Sequence, residues 1–467
     1  MSEAAPFDLA VVGSGPGGYV AAIRAAQLGR RVAVIEDDRL GGVCLNWGCI
    51  PSKALLTGAE LVETLRSHGD AFGISADGIR LDYGKLVDHS RRTADRLSRG
   101  VQGLFKKNRI EWIHGRGRLA GPTRVEVTGP TERVVEAAEI LLATGSAEWA
   151  PPGIAVDGER VLTSREALES KRVPGQLVVI GAGAVGVEFA YVYAMYGARV
   201  TVVEMAPQMI PGADPEAAAA LQREFRRKGI EVRLGTRFEE LKVENGGVRV
   251  AVSGEKGAQE LRADQVLVAV GRRPRAHDLG LEAAGVALDA KGFVRVDERF
   301  RTSAPTVMAI GDVAGPPLLA HKASEEGIAA VEYAAGVARP PLDPLHVPAC
   351  IYTQPQVAWI GLGEAEARAR YGDDLRVGRF PFTASGKAIA SAHTAGFAKI
   401  LAEPRFGQVV GAHVVGAAAT ELIAEIGLAM TLEATTSEIA GTCHAHPTLS
   451  EAILEAALAA EGRSINF

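Results

Sequence analysis

The sequence contains the same pattern twice, and this repeat restricts the possible folds more than any other feature. The first copy begins at Leu9 with LAVVGSGPGG and ends at Glu36 with RVAVIE; the second begins at Leu177 with LVVIGAGAVG and ends at Glu204 with RVTVVE. Each copy is an apolar run, a Gly-rich turn, an Ala-rich amphipathic stretch and a second apolar run that ends in an acid. The pattern predicts two βαβ units with parallel strands, and therefore an α/β fold.

Further apolar segments extend both units. AEILLATG, from Ala138, resembles ADQVLVAVG, from Ala263, as a strand that leads into a Gly turn. The segment TVMAIGD, which ends at Asp312, has no counterpart in the second unit, so we assign it to the first. The second unit is therefore expected to be inserted within the first.

Pro-rich segments at 149–153 and 339–344 mark the expected domain joints. Beyond the second joint, alternation at 409–415 predicts a strand and the pattern at 420–432 predicts a helix. We expect two Rossmann-like dinucleotide-binding domains and a C-terminal α+β domain, with these bounds: 1–150 and 275–345 for the first domain, 151–274 for the second, and 346–467 for the third.

Length and charge narrow the class of protein. A chain of 467 residues exceeds the size of a single hydrophobic core. A net charge of -5 predicts no general attraction to nucleic acid or to an anionic membrane. The N-terminus has no signal-peptide pattern, no apolar stretch reaches the roughly 18 residues that span a bilayer, and four cysteines do not suggest a secreted disulfide scaffold. We expect a cytoplasmic protein with small-molecule or protein partners.

The glycines of the two turns follow the pattern G-x-G-x-x-G, which allows a tight bend and lets the backbone approach a pyrophosphate at a helix N-terminus. A single copy of this motif is also found in Gly-rich turns without a ligand. Two copies, each with its strands, helix and terminal acid, favour two bound dinucleotides. The glycines concerned are Gly13, Gly15 and Gly18 in the first copy and Gly181, Gly183 and Gly186 in the second.

The acids that end the two repeats are expected to bind ribose hydroxyls, since an acid at about this distance after the motif does so in dinucleotide-binding folds. Glu36 has this place in the first copy and Glu204 in the second. A carboxylate accepts hydrogen bonds from a free 2′-hydroxyl and repels a 2′-phosphate, and no Arg directly follows Glu204. The second site is therefore expected to prefer NAD to NADP.

The most specific motif is a pair of cysteines, Cys44 and Cys49, in GGVCLNWGCIPSK. Two cysteines five residues apart at the start of a helix can form a strained, easily reduced bridge if the first turn is distorted. The helix N-terminus is expected to lower the thiol pKa values. Two buried thiols, a structural disulfide and half of a metal site are the alternatives, and the neighbouring dinucleotide unit favours a redox pair.

Together these motifs resemble the pyridine nucleotide disulfide oxidoreductases, and the resemblance covers essentially the whole chain. It implies FAD on the first unit, with Asp312 at its polyol region, and NAD on the second. It also implies that Cys44 exchanges with the substrate disulfide and that Cys49 contacts the flavin. Lys53 and Glu188 match an ion pair near the flavin, although alone they suggest a solvated lysine and an ordinary acid. The further cofactor-binding residues that we expect are Thr144 and Gly145 for FAD and Gly271 for NAD.

A second motif, CHAHPTLSE, lies near the C-terminus. Thiol exchange needs a base, and a carboxylate that holds an imidazole orients it and raises its basicity. His446 and Glu451 match the family's His/Glu pair. Thr448 and Glu451 also have the spacing of a helix capping box, and the two roles are compatible. We expect a structural role for His444.

Departures from other family branches favour one substrate. The end of the chain has no cysteine pair, which distinguishes it from mercuric reductase and the large thioredoxin reductases. Glu204 predicts a preference for NAD, whereas glutathione reductase prefers NADP. The chain is most similar to the branch that oxidises dihydrolipoamide with NAD. No metal site is predicted.

The resemblance also implies partners. We expect a homodimer whose active site is shared between subunits. The lipoyl group is expected to come from the acyltransferase of a 2-oxoacid dehydrogenase complex or from a glycine cleavage carrier protein. The rival hypotheses are another flavin disulfide reductase, an NADH oxidase, and a non-enzymatic docking subunit for the acyltransferase.

Overall fold

The computed structural model describes residues 6–75, 78–255 and 257–467. The α-helices in these ranges are α1 (Pro16–Gln27), α2 (Gly42–Trp47), α3 (Cys49–Glu63), α4 (Tyr83–Lys107), α5 (Ser164–Ala167), α6 (Ala184–Met195), α7 (Pro215–Arg227), α8 (Leu281–Ala284), α9 (Ala320–Ala334), α10 (Glu364–Tyr371), α11 (Gly386–Ala390), α12 (Ala419–Thr431), α13 (Thr436–Gly441) and α14 (Glu451–Ala460).

The strands are β1 (Phe7–Val12), β2 (Val32–Glu36), β3 (Glu111–His114), β4 (Arg116–Gly121), β5 (Arg124–Thr128), β6 (Arg133–Leu142), β7 (Ser146–Glu148), β8 (Val161–Leu162), β9 (Gln176–Ile180), β10 (Arg199–Val203), β11 (Glu231–Arg233), β12 (Arg237–Glu244), β13 (Gly247–Gly254), β14 (Gly257–Ala263), β15 (Gln265–Val268), β16 (Arg272–Pro274), β17 (Val307–Ala309), β18 (Ala349–Ile351), β19 (Gln356–Gly361), β20 (Arg376–Pro381), β21 (Phe397–Ala402) and β22 (Val409–Gly416).

Contacts divide the chain into two compact units. The first contains the described residues up to Ala54 together with Val87–Trp149 and Arg272–Leu342. The second contains the described residues of three further segments: Leu55–Leu86, Ala150–Gly271 and Asp343–Phe467. Successive segments of the chain therefore belong to the two units in turn. The division into three domains stays a prediction.

The first unit is built on a largely parallel sheet. β1 pairs in parallel with β2 and with β6, β2 pairs with β3, and β17 pairs with the other edge of β6. The strand before Asp312 thus belongs to this sheet. The first half of β6 continues into an antiparallel meander with β5 and β4, which the sequence analysis did not indicate.

Strand β1 shows why residues 9–12 form an unbroken apolar run. Leu9 and Val11 are buried in the hydrophobic cluster that includes the alanines of α1. Ala10 and Val12 belong to a second cluster, which includes residues of β4 and β5. A strand that is covered on both faces needs apolar side chains at every position, unlike the alternating strands of a half-exposed sheet.

The second unit contains a second parallel sheet, in the order β11-β10-β9-β15-β8, and a three-stranded antiparallel sheet of β12, β13 and β14. Its C-terminal part is an antiparallel sheet in the order β18-β19-β22-β21-β20. Helices α12 and α14 pack against this sheet through a continuous apolar cluster. The predicted fold class, two Rossmann-like units with an α+β C-terminal part, is confirmed.

A buried lysine connects elements of the second unit. The Lys399 side chain is only 2% exposed, and its ammonium donates to Asp214 at 2.9 Å, to Glu216 at 3.2 Å and to Glu364 at 3.0 Å. Burial acts to lower the pKa of Lys399, but hydrogen bonds with these carboxylates raise it overall. Asp214 also caps α7 through the amide of Glu216. The Lys399 ammonium and its three carboxylate partners therefore link β21 to the start of α7 and to α10.

Within the part of the chain that the structure describes, no helix combines the length and the apolar character needed to cross a bilayer.

Candidate active site

The first and third glycines of the two Gly-rich turns are required by the backbone. Gly13 and Gly181 have φ of 99° and 102°, values that L side chains rarely adopt. A Cβ on Gly18 would lie 2.0 Å from the carbonyl oxygen of Gly13, and a Cβ on Gly186 would lie 1.9 Å from that of Gly181. Each turn therefore closes its helix tightly against the preceding strand, as the motif predicts.

The middle glycines have a different environment. A Cβ on Gly15 or on Gly183 would have no heavy atom within 4 Å, and these residues are the N-caps of α1 and α6. Open space lies next to the first free amides of a 12-residue helix in both copies. This arrangement fits a pyrophosphate group, which needs close backbone approach and a helix N-terminus.

The two terminal carboxylates hold equivalent positions. The Oε2 atom of Glu36 accepts from the amide of Ser14 at 2.8 Å, and the Oε2 atom of Glu204 accepts from the amide of Ala182 at 2.7 Å. Ser14 adds its hydroxyl at 2.7 Å, a contact that the sequence analysis missed although Ser14 lies inside the motif. Burial is the largest effect on Glu36 and raises the pKa of its carboxyl. A carboxylate has about four acceptor positions, so both acids can also accept from ribose hydroxyls.

The other predicted FAD-binding residues lie in the first unit near the end of β6. The Thr144 hydroxyl donates to the carbonyl of Arg275 at 2.7 Å, and Gly145 has φ of 72°. Asp312 follows β17 and accepts a short hydrogen bond from Ser146. Because β6 and β17 are neighbouring parallel strands, their carboxyl ends meet at one edge of the sheet, where such folds bind ligands.

Gly271, a predicted NAD-binding residue, lies in the second unit shortly after β15 and has φ of 128°. A Cβ there would have no heavy atom within 4 Å.

Cys44 and Cys49 lie on two different helices. Cys44 is within the short helix α2, and Cys49 is the first residue of α3. Gly48 separates them with φ of -153° and ψ of -112°, which are not helical values. The distortion that a bridge requires is therefore this break, and both cysteines are half-buried.

The two thiols are within hydrogen-bonding reach of each other. The hydrogen bond with Cys49, followed by burial, raises the pKa of Cys44 well above its ordinary value, while the Lys53 ammonium acts to lower it. The prediction that the helix N-terminus lowers both thiol pKa values is wrong for Cys44, because two stronger local effects oppose it. The hydrogen bond and the burial thus both disfavour the thiolate of Cys44.

Lys53 and Glu188 lie in different units of the chain. Lys53 lies one helical turn after Cys49 on α3, close enough to influence Cys44 electrostatically. Glu188 is buried on α6, where its Oε1 atom accepts from the amide of Tyr352 at 3.1 Å. The ion pair between them stays a prediction.

His446 and Glu451 form a pair near the C-terminus. The Nδ1 atom of His446 lies 2.8 Å from Oε1 of Glu451, and the His446 side chain is 78% exposed. The second oxygen of Glu451 accepts from the amide of Thr448 at 2.8 Å. Glu451 thus contacts both the histidine and the backbone just before α14. The capping box of Thr448 and Glu451 is not formed, because the N-cap of α14 is Ser450 and the Thr448 hydroxyl donates to the carbonyl of Ala445.

No group of three or more His, Cys, Asp or Glu side chains within the described ranges is arranged to hold a metal ion. The two cysteines therefore do not complete a larger ligand cluster there.

Comparisons with known proteins agree with this arrangement. Residues 7–327 match the family model described as pyridine nucleotide-disulphide oxidoreductase, and residues 347–457 match the dimerisation domain of the same family. The chain belongs to the pyridine nucleotide-disulphide oxidoreductase family. It is thus a flavoprotein oxidoreductase with FAD and NAD as cofactors, and its dimerisation domain supports a homodimer.

Individual relatives cover almost the whole chain. The dihydrolipoyl dehydrogenase of Zymomonas mobilis is 44% identical over 465 residues, which is 99% of this chain and 99% of that protein. The dihydrolipoyl dehydrogenase of Chlorobaculum tepidum is 45% identical, with 97% of each chain covered. The crystal structure of LpdA from Mycobacterium tuberculosis is similar with a TM-score of 0.90 at 30% identity, covering 96% of this chain and 98% of that one.

The position of Glu204 predicts a measurable cofactor preference. NAD should exceed NADP in kcat/KM by at least about 100-fold, because a buried carboxylate next to a 2′-phosphate costs several kcal/mol. Steady-state kinetics with both cofactors measures this ratio. Glu204→Gln removes the charge but keeps one acceptor oxygen, and should reduce the ratio at least about tenfold. Equal efficiencies with NAD and NADP in the unmodified enzyme would contradict the assignment.

Proposed function

We propose that the protein oxidises dihydrolipoamide to lipoamide and passes the electrons to NAD through Cys44, Cys49 and FAD. The observation that carries this proposal is the thiol pair: two cysteines on separate helices share a hydrogen bond beside the Lys53 ammonium. The full-length relatives described as dihydrolipoyl dehydrogenases support the choice of substrate. The His446–Glu451 contact supplies the base that thiol exchange needs.

The substrate half-reaction begins with the Cys44–Cys49 disulfide. One thiol of dihydrolipoamide gives its proton to Nε2 of His446 and attacks the sulfur of Cys44, which breaks the disulfide and releases Cys49 as a thiolate. The second substrate thiol, whose proton passes to the departing sulfur of Cys44, then attacks the substrate sulfur that is bound to Cys44. Lipoamide leaves with its ring disulfide formed, and Cys44 leaves as a thiolate that takes a proton. The substrate is thus oxidised by two electrons and the cysteine pair is reduced.

His446 and Glu451 have different roles in accepting the substrate proton. The Nδ1 atom of His446 is occupied by Glu451, so Nε2 is the nitrogen that remains for the substrate thiol. A carboxylate at Nδ1 fixes the ring orientation and stabilises the imidazolium that forms when the proton arrives. The exposure of the ring suits a substrate that approaches on another polypeptide.

FAD, when bound, supplies the two-electron carrier between the cysteine pair and NAD. The amides at Gly15 and Gly183 are assigned to the pyrophosphates of FAD and NAD respectively, and Glu36 and Glu204 to their riboses. For FAD we further assign Thr144, Gly145 and Asp312, and for NAD Gly271. Lys53 and Glu188 are assigned to the surroundings of the flavin, as the family resemblance implies.

The partners follow from the substrate. The dihydrolipoyl group is proposed to arrive on the lipoyl domain of a 2-oxoacid dehydrogenase acyltransferase or on a glycine cleavage carrier protein. We place the enzyme in the cytoplasm, where NAD is available as an acceptor. The active unit is a homodimer, in which His446 serves Cys44 of the partner subunit.

Purified protein provides the direct test. It should be yellow, with about one tightly bound FAD per chain, since one Gly-rich turn is available for it. It should reduce NAD with dihydrolipoamide in a steady-state assay at 340 nm, on the order of 1–1,000 turnovers per second. Flavin that neither copurifies nor reconstitutes would refute the proposal. Rapid oxygen consumption with NADH, without dihydrolipoamide turnover, would favour an NADH oxidase instead.

A further inference from the structure

A second His–Glu pair lies beside the first. The ring of His444 is 4% exposed, and its Nε2 atom lies 2.7 Å from Oε1 of Glu425, a residue of α12. Its Nδ1 atom lies 2.9 Å from the carbonyl oxygen of Thr442. Both ring nitrogens therefore have a partner. One partner, Thr442, lies in the segment that joins α13 to α14, and the other, Glu425, lies on α12.

The two partners of His444 both accept hydrogen bonds. The carbonyl of Thr442 can only accept, so the ring donates to it through Nδ1. The other ring nitrogen, Nε2, lies 2.7 Å from the carboxylate of Glu425. Both ring nitrogens therefore face acceptors, and the two contacts fix the orientation of the ring.

This pair is close to the proposed base. His444 precedes His446 by two residues, and the charges on both histidines reach Glu451. The amide of Thr448 is the largest effect that lowers the pKa of Glu451, followed by the hydrogen bond with His446, and the charge of His444 adds to them. The two pairs differ in exposure, because the ring of His444 is buried while that of His446 is 78% exposed.

We propose that His444 and Glu425 are positioning residues that hold the backbone of the His446 segment against α12 and so fix the base for thiol exchange. The inference rests on the proposed function, in which His446 accepts the substrate proton. Because His444 is buried and bound at both nitrogens, it contacts no substrate and acts through His446. The anchor on α12 gives the exposed base a fixed support from a helix that packs in the C-terminal core.

Kinetics of substituted enzymes test this role. His444→Ala should lower kcat for dihydrolipoamide oxidation by about 10- to 100-fold, since displacement of a catalytic group by about 1 Å costs this much. The KM for NAD and the NADH-dependent reduction of a dye should change less than about twofold, because neither needs the base. Glu425→Ala should show a similar loss of kcat.

Glu425→Gln is the conservative variant. Its amide can donate to Nε2 of a neutral ring whose Nδ1 still donates to Thr442, so both contacts of the ring are kept. This variant should keep kcat within about threefold of the unmodified enzyme. Glu421→Gln, on the exposed side of the same helix, is the matched control for the change in charge and should have no effect.

The outcomes separate the two claims. If dihydrolipoamide is oxidised and His446→Ala removes the activity, but His444→Ala and Glu425→Ala retain full kcat, the positioning role is wrong and the proposed function stands. If the unmodified enzyme does not oxidise dihydrolipoamide, the proposed function fails and the inference fails with it. Should His444→Ala not fold, the contrast between Glu425→Ala and Glu425→Gln decides, and equal loss in both overturns the inference.

Discussion

Cys44→Ser is expected to reduce dihydrolipoamide oxidation by at least about a thousandfold, while NADH-dependent dye reduction persists. The serine hydroxyl cannot form the disulfide that the substrate thiol attacks, so the substrate half-reaction has no acceptor, and loss of a covalent catalytic group is commonly this severe. Dye reduction uses only NADH and the flavin and bypasses the cysteines. Parallel steady-state assays of the two activities on the same preparation give the comparison.

Cys49→Ser distinguishes the roles of the two sulfurs. If Cys49 contacts the flavin, the reduced enzyme should show a long-wavelength absorption band from thiolate to flavin, and this substitution should abolish it. Cys44→Ser should retain the band, because the band is assigned to the sulfur of Cys49. Cys443→Ser, which changes an exposed cysteine outside the pair, is the control and should leave the band and both activities unchanged. Full dihydrolipoamide activity in Cys44→Ser would favour the oxidase hypothesis.

The structure could be predicted best where it depends on residues that are close together in the sequence. Gly13 and Gly181 are needed for a backbone angle, and Gly18 and Gly186 for contact with a carbonyl five residues earlier, so the motif itself contains the constraint. The repeat also placed the two acids correctly: Glu36 is the last residue of β2, and Glu204 directly follows β10. Their amide partners, Ser14 and Ala182, lie inside the same motif.

Features that depend on distant contacts were not predictable in this way. The raised pKa of Cys44 results from its hydrogen bond with Cys49 and from burial, and the helix break at Gly48 between the two cysteines could not be predicted from helix propensities. The meander of β4 and β5 has alternating burial but no motif that assigns it to the first unit.

The environment of His444 shows the same limit. Its sequence context suggested a structural histidine, which is consistent with its burial. The partner Glu425 is 19 residues away on another helix, so the sequence did not indicate which residue this histidine contacts.

His446→Ala is expected to lower dihydrolipoamide oxidation by about 100- to 10,000-fold, which is the range for loss of a general base. Dye reduction with NADH should remain. The family resemblance implies more, namely that each His446 serves Cys44 of the partner subunit in a symmetric homodimer. The matching dimerisation domain, residues 347–457, contains His446 and Glu451. Subunit mixing can therefore test where the base acts.

Inactive Cys44→Ser chains and inactive His446→Ala chains should restore activity when their subunits exchange. Each mixed dimer then has one site with an intact cysteine pair from one chain and an intact histidine from the other. Random exchange makes about half of the dimers mixed, with one of two sites intact, so recovery should reach about one quarter of the unmodified activity.

The reverse experiment adds chains that carry both substitutions to unmodified enzyme. If sites are shared, a mixed dimer of this kind has no intact site, and an excess of the double variant should abolish the activity. If each chain contains its own complete site, the first mixture stays inactive and the second keeps one active site per unmodified chain. Native mass spectrometry of both mixtures confirms that the subunits have exchanged, so that an inactive first mixture refutes the shared site.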